Sequence, residues 1–120
     1  MSTIKEFMIS PIISVEGQTL VKAAAGLMCE KKISALLVRE GEAYVGIVTK
    51  SDFVKKVIAE DLDPKITRIH SVMSTPLFSL DEYVQPCEAS EFMLRKGIKH
   101  LVVTEGKKIV GILTIKDLVS

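Results

Sequence analysis

Tryptophan is absent from the sequence, and tyrosine and phenylalanine make up only 5% of its 120 residues. Proteins that bind single-stranded nucleic acid stack the bases on aromatic side chains along a positively charged groove. The net charge here is only +1, because basic and acidic residues nearly balance. Neither requirement is met, so nucleic acid is not an expected partner.

Long apolar runs are also missing. No stretch reaches the roughly 18 apolar residues that a membrane-spanning helix needs. The start, MSTIKEFMIS, lacks the basic flank and apolar run of a secretion signal. We therefore expect a cytoplasmic protein with no membrane partner.

Cysteine occurs only at Cys29 and Cys87, each inside a predicted helix. The sequence has no Cys-x-x-Cys and no histidine at metal-ligand spacing, so we expect two small buried thiols and no metal site. No Cys/His or Ser/His/Asp arrangement and no evident carboxylate pair suggests catalysis. We expect that the protein is not an enzyme.

An internal repeat dominates what the sequence does contain. A shift of 65 residues places Met8 on Met73, and the register then holds without a gap from Ser2 to Lys55 of the first copy. Identical pairs include Met8/Met73, Pro11/Pro76, Ala24/Ala89, Met28/Met93, Gly41/Gly106, Gly46/Gly111, Thr49/Thr114 and Asp52/Asp117. We predict two motifs, residues 1–60 and 61–120, that share one module.

Each copy has the pattern strand, helix, strand, strand, helix. Thr19 is predicted to cap the first helix, whose buried stripe would be Leu20, Ala23, Ala24, Leu27 and Met28. Pro86 stands at the start of the corresponding helix in the second copy. Gly41 and Gly106 supply the positive φ of two hairpins. The strands joined by these hairpins are apolar on successive residues, which predicts that both faces of each sheet are covered by other parts of the protein. The predicted fold class is α+β, with two β-α-β-β-α motifs packed sheet to sheet about a pseudo-twofold axis.

Both copies resemble the cystathionine-β-synthase (CBS) domain, and the whole chain resembles a stand-alone tandem pair, a Bateman module. The resemblance rests on the Met-x-x-Pro openings (MISP and MSTP), the Ala-rich helix, the apolar hairpin and the closing segments GIVTKSD and GILTIKD. It implies a regulatory module that binds AMP, ADP, ATP or S-adenosylmethionine in clefts between the repeats, with no tightly bound cofactor.

The closing Thr-x-x-Asp has two interpretations. A hydroxyl followed three residues later by a carboxylate, at a strand-to-helix junction, is a capping box that needs no ligand. The resemblance instead assigns Asp52 and Asp117 to ribose hydroxyls, and Thr49 and Thr114 to ribose or phosphate oxygens. Both interpretations stay open at the level of the sequence.

The resemblance also assigns residues to two clefts. Cleft A would contain Ile47, Thr49, Asp52, Met73, Phe78, Ile98, Lys99 and His100. Cleft B would contain Met8, Ile13, Ile33, Ser34, Ala35, Ile112, Thr114 and Asp117. Lys99 and His100 stand where many members place basic residues against phosphates, whereas Ser34 and Ala35 do not carry charge. Cleft A is therefore expected to tolerate phosphate better.

An alternative function is a ligand-independent dimerisation or docking protein for a separate partner, with Thr-x-x-Asp serving only as helix caps. A homodimer is expected under either interpretation. The last helix has few residues before Ser120, and the apolar face around Phe53, Val54 and Val57 would be left uncovered in one isolated pair. Any effector would be a separate protein.

Overall fold

The computed structural model describes residues 2–119. The chain folds into two compact units, each with a three-stranded sheet. Ile13–Leu77 forms the β1–β3 unit, and Met1–Ile12 with Phe78–Ser120 forms the β4–β6 unit. The predicted α+β class is confirmed, with helices accompanying two mixed sheets.

The β1–β3 unit contains β1 (Ser14–Glu16), α1 (Val21–Lys31), β2 (Ala35–Glu40) and β3 (Ala43–Thr49), followed by α2 (Lys50–Asp52), which continues as a π-helix over Phe53–Ile58. Strand β2 lies between its neighbours, parallel to β1 and antiparallel to β3. A linker, residues 59–68, leads from the π-helix to a 3₁₀ turn, Ile69–Ser71.

The β4–β6 unit repeats this plan. It contains β4 (Ser79–Asp81), α3 (Pro86–Lys96), β5 (His100–Glu105), β6 (Lys108–Thr114) and α4 (Ile115–Val119). Strand β5 is parallel to β4 and antiparallel to β6, in the same register as the first copy. The 3₁₀ turn of this unit, Ile4–Glu6, comes from the start of the chain.

Backbone hydrogen bonds explain why the start of the chain belongs to the second sheet. The Ile4 N–H donates to the Val84 carbonyl at 2.8 Å, and the Lys5 N–H donates to the Glu82 carbonyl at 3.1 Å. Ile9 then forms an antiparallel bridge with Ile112 on β6. The compact units therefore do not coincide with the two halves of the sequence.

Each unit has its own apolar core. Met28, Leu36, Val38 and Val48 are central to one core, and Met93, Leu101, Val103 and Leu113 take the matching positions in the other. Successive residues of β2 and of β5 are buried, which agrees with the prediction from their unbroken apolar runs. The hairpin glycines are confirmed as well, with φ of +65° at Gly41 and +62° at Gly106.

The predicted cap of α1 is wrong. Leu20 is the N-cap residue, and no side chain caps the helix. Instead, the Val21 N–H donates to the Thr67 carbonyl at 2.9 Å and the Lys22 N–H donates to the Pro64 carbonyl at 3.0 Å. The linker therefore satisfies donors that a cap would otherwise serve. In α3 the first residue is Pro86, as predicted.

Two burial predictions also need correction. Ala23 is exposed, and the buried face of α1 is formed by Val21, Ala24 and Met28 at helical spacing. Cys29 and Cys87 are free and exposed rather than buried, because each lies on the outer side of its helix. Within residues 2–119, no helix has the length and apolar character needed to cross a membrane.

Candidate functional site

The two Thr-x-x-Asp segments form capping boxes where the last strand of each unit enters a helix. At the end of β3, the Thr49 N–H donates to Asp52 Oδ2 at 2.9 Å, and the Asp52 N–H donates to Thr49 Oγ1 at 3.3 Å. At the end of β6, the same bonds join Thr114 and Asp117 at 3.3 and 3.2 Å. The capping interpretation of the sequence is confirmed geometrically, and it engages only one oxygen of each carboxylate.

The second oxygen of Asp52 is occupied. Ser74 Oγ donates to Asp52 Oδ1 at 2.8 Å, and Lys56 Nζ forms an ion pair with the same oxygen at 3.0 Å. Asp52 is buried, so these donors compensate the desolvation of its charge. Lys56 and Ser74 were not among the predicted site residues.

The second oxygen of Asp117 is different. Among residues 2–119, no hydrogen bond or ion pair reaches Asp117 Oδ1, and the side chain is half-buried rather than buried. The repeat places Ile9 where the other unit has Ser74, and an isoleucine side chain has no donor. Within residues 2–119, Asp117 Oδ1 is therefore uncommitted.

The Met-x-x-Pro segment is held beside each of these strand ends by a pair of backbone bonds. Ser74 exchanges two N–H···O bonds with Ile47, at 2.7 and 3.1 Å, and Ile9 exchanges two with Ile112, at 2.8 and 3.0 Å. In each unit, the opening motif of one copy therefore pairs with the closing motif of the other copy.

The glycine of each closing motif allows this approach. A Cβ built on Gly46 would lie 2.7 Å from Met73 Sδ and 3.0 Å from the Ser74 carbonyl oxygen. On Gly111 it would lie 2.6 Å from Met8 Sδ and 3.1 Å from the Ile9 carbonyl oxygen. Met73 and Met8, both predicted site residues, thus pack over the bare backbone of the final strand.

The predicted site residues divide between the units. The β1–β3 unit contains Ile13, Ile33, Ser34, Ala35, Ile47, Thr49, Asp52 and Met73, and the β4–β6 unit contains Met8, Phe78, Ile98, Lys99, His100, Ile112, Thr114 and Asp117. The structure brings together the closing motif and the methionine in each unit. The grouping into clefts A and B stays a prediction.

The exposure of these residues varies. The buried residues among them are Ile47, Ile112, Thr114, Ala35 and Asp52; Lys99 is exposed, and the others are half-buried. The Phe78 ring stands edge-on to Phe92 with centroids 6.2 Å apart, and Lys96 Nζ lies 5.8 Å from the Phe78 centroid. Phe78 is therefore a positioned aromatic surface rather than a loose side chain. His70 is exposed.

Lys56 could have been found from the sequence, and Ser74 less easily. Lys56 follows Asp52 by four residues, which is the spacing of an ion pair on one helical face. Ser74 lies 22 residues from Asp52, so only the fold brings the two together. Among residues 2–119, no group of three histidine, cysteine, aspartate or glutamate side chains could hold a metal ion.

The two mixed sheets, each ending in a Thr-x-x-Asp capping box, define a tandem-repeat module of two similar α+β units. The chain belongs to the CBS domain family, whose model matches residues 4–59 and again residues 69–120. The resemblance of both repeats to this family is thereby confirmed.

Comparisons with individual proteins agree with this assignment. The chain is 32% identical over 88 residues to the uncharacterized protein MK0525 of Methanopyrus kandleri, a match that covers 72% of this chain and 45% of that protein. A CBS-domain protein of Burkholderia ambifaria has a TM-score of 0.90 at 31% identity, covering 98% of this chain and 91% of the other. The hexameric CBS-CP12 protein of bloom-forming cyanobacteria also has a TM-score of 0.90, at 29% identity, covering 98% of this chain and 69% of the other.

Proposed function

We propose that this chain is a regulatory module that binds an adenosine-containing ligand, AMP, ADP, ATP or S-adenosylmethionine, reversibly and without catalysis. The observation that carries the proposal is the uncommitted oxygen of Asp117, at the end of β6 beside the bare backbone of Gly111. A carboxylate oxygen that lacks a donor accepts vicinal hydroxyls well, since hydrogen bonds to a charged acceptor are the stronger kind.

The other residues have supporting roles in this proposal. Thr49 and Thr114 hold their carboxylates in position through the capping boxes. Ile47, Ile112, Met8, Met73, Ile13, Ile33, Phe78 and Ile98 supply apolar surface for the adenine ring. Lys99 and His100 face phosphates, whereas Ser34 does so only as a neutral donor. Because Lys99 is exposed, its attraction for phosphate should weaken with salt.

A second candidate function is supported by a specific observation. Both Thr-x-x-Asp segments form capping boxes from the chain's own groups, and Val54 and Ile58 are 57% and 72% exposed on neighbouring turns of the π-helix. A docking or dimerisation protein would need nothing more.

The proposed regulator is itself a homodimer and acts on a separate effector protein in the cytoplasm. The cyanobacterial relative, described as hexameric, shows that the family supports self-assembly.

Thermal unfolding in the presence of each ligand separates the two functions. A ligand at 100 times its Kd adds about 2.7 kcal/mol to the free energy of unfolding. We expect at least one of AMP, ADP, ATP and S-adenosylmethionine to raise the unfolding temperature, and inorganic phosphate at equal concentration to leave it unchanged. If none of the four raises it above the phosphate control, the docking function is favoured.

A further inference from the structure

Lys56 makes more contacts than a surface lysine of an amphipathic helix requires. Its Nζ lies 3.0 Å from Asp52 Oδ1, 3.1 Å from the Val72 carbonyl oxygen and 3.3 Å from Ser74 Oγ. The Met73 carbonyl oxygen is within 3.4 Å of it as well. One ammonium thus joins the helix after β3 to the segment that carries Met73.

These contacts occupy the oxygen that a ligand would need. Asp52 Oδ2 is used by the capping box, and Oδ1 accepts from both Lys56 and Ser74. A ligand hydroxyl reaches Oδ1 only if Lys56 Nζ and Ser74 Oγ move away from this oxygen or share it with the hydroxyl. At Asp117, among residues 2–119, the capping box is present and no second donor is bound.

We propose that Lys56 determines which carboxylate takes the ligand: its ammonium competes with ligand hydroxyls for Asp52, so that a vicinal diol binds first at Asp117. This inference rests on the proposed adenosine-binding function. It assigns a specificity role to a residue outside the repeated motifs, and it makes the two nearly identical motifs unequal in use.

The competition follows from the strengths of the bonds involved. A diol bound at Asp52 would exchange charge-assisted bonds from an ammonium for bonds from neutral hydroxyls, which are weaker. The Val72 and Met73 carbonyls would also lose a donor. Because the Lys56 side chain is 42% exposed, water can take over part of these bonds. The ammonium therefore weakens binding at Asp52 without abolishing it.

The test measures the Asp52 site alone. Asp117→Asn is introduced to remove the competing carboxylate, and adenosine binding is followed by calorimetry with and without Lys56→Met, which keeps the apolar stem and removes the charge. Adenosine carries no phosphate, so the loss of a positive charge does not by itself weaken the binding of this ligand. We expect Lys56→Met to tighten adenosine by about tenfold, the scale set by one charge-assisted hydrogen bond.

Two controls define the effect. Lys55→Met removes the neighbouring exposed charge and should leave adenosine affinity unchanged. 2′-Deoxyadenosine lacks one of the two hydroxyls, so its affinity should rise much less in Lys56→Met. If Lys56→Met unfolds, Lys56→Gln replaces it, because glutamine keeps a donor for the carbonyls without the charge, and the same gain is expected.

The outcomes distinguish this inference from the proposed function. Adenosine binding by the wild type, together with tighter binding after Lys56→Met in the Asp117→Asn chain, supports both. Binding by the wild type without a gain overturns the role of Lys56 and leaves the function standing. Binding only after the substitution supports Lys56 as the competitor and overturns the function for the natural chain. Absence of binding in every variant overturns both.

Discussion

At the residue scale, Gly46 and Gly111 are the points where the closing motif of one repeat meets the opening motif of the other repeat. The close approach of Met73 and Met8 leaves no room for a Cβ at either position. A Cβ on Gly46 would lie 2.7 Å from Met73 Sδ, and one on Gly111 would lie 2.6 Å from Met8 Sδ. Neither glycine has positive φ, so the requirement is space rather than backbone conformation.

Gly111→Ala should therefore destabilise the protein. We expect a loss of about 1–3 kcal/mol in the free energy of unfolding, the usual cost of overpacking a filled site. Chemical denaturation measures it. Gly26→Ala is the matched control: nothing lies within 4 Å of its Cβ position in α1, and alanine there should stabilise by about 0.5–1 kcal/mol. Equal effects of the two substitutions would rule out the packing explanation.

The two aspartates should differ in stability as well as in binding. Asp117→Ala removes a capping contact and should cost about 1 kcal/mol. Asp52→Ala removes the same cap and also the buried acceptor shared by Ser74 and Lys56, so we expect a larger loss, about 2–3 kcal/mol. Solvent partly screens the ion pair with Lys56, because that side chain is 42% exposed. If chemical denaturation shows that Asp117→Ala loses as much free energy of unfolding as Asp52→Ala, or more, the structure is contradicted.

At the scale of elements, the matching ends of α1 and α3 have the same backbone conformation but different residues. Both helices end in a left-handed residue, Lys32 with φ of 56° and Gly97 with φ of 65°. Residues with a Cβ pay a conformational penalty there that glycine avoids. The first repeat therefore tolerates a strained helix end that the second repeat does not have.

Lys32→Gly should stabilise the protein by about 1 kcal/mol, since it removes a left-handed residue with a side chain. Gly97→Ala should do the reverse by a similar amount, although its Cβ would meet nothing within 4 Å. Thermal unfolding of both variants gives the comparison. A destabilised Lys32→Gly would mean that the lysine side chain contributes more than its backbone strain costs.

Local patterns in the sequence predicted most of these elements. Unbroken apolar runs indicated strands β2 and β5, and Gly41, Gly106 and Pro86 marked turns and a helix start through their own backbone preferences. Predictions failed where distant residues decide the outcome. Thr19 lost its capping role because the linker carbonyl of Thr67 serves the first turn of α1.

The candidate site, like the elements, was predictable where it depends on residues that are close in the sequence. Thr49 and Asp52 lie three residues apart, so their capping box is a local pattern that the sequence shows. Ser74 reaches Asp52 only through the pairing of Ile47 with the Met-x-x-Pro segment, which depends on the folded unit. The exposed cysteines were mispredicted because composition does not say which side of a helix faces the core.

At the scale of the whole molecule, the exposed apolar face of the π-helix bears on self-association. Val57 was expected to lie on this face, but it is buried in the core of its own unit, and Phe53 packs against that core. The uncovered residues are Val54 and Ile58. The face is smaller than the sequence suggested, and these two side chains are its apolar centre.

A homodimer through this face should be visible by light scattering at tens of micromolar protein. We expect the double substitution Val54→Glu and Ile58→Glu to produce a monomer, because it places charges in an apolar contact. Ile66→Glu, at a linker residue that is 74% exposed, is the control and should leave the dimer intact. A wild type that is entirely monomeric at this concentration would contradict the dimer.

The central claim is that a carboxylate at the end of a repeat holds an adenosine ligand. Calorimetry of the ligand selected by thermal unfolding, against the wild type and Asp117→Asn, tests it most directly, with the exposed Glu91→Gln as a matched loss of charge. We predict at least about tenfold weaker binding in Asp117→Asn and unchanged binding in Glu91→Gln, since each bond to a charged acceptor is worth about 1.5–3 kcal/mol. Equal affinities for the wild type and Asp117→Asn would show that the carboxylate only caps its helix, and the account would be contradicted.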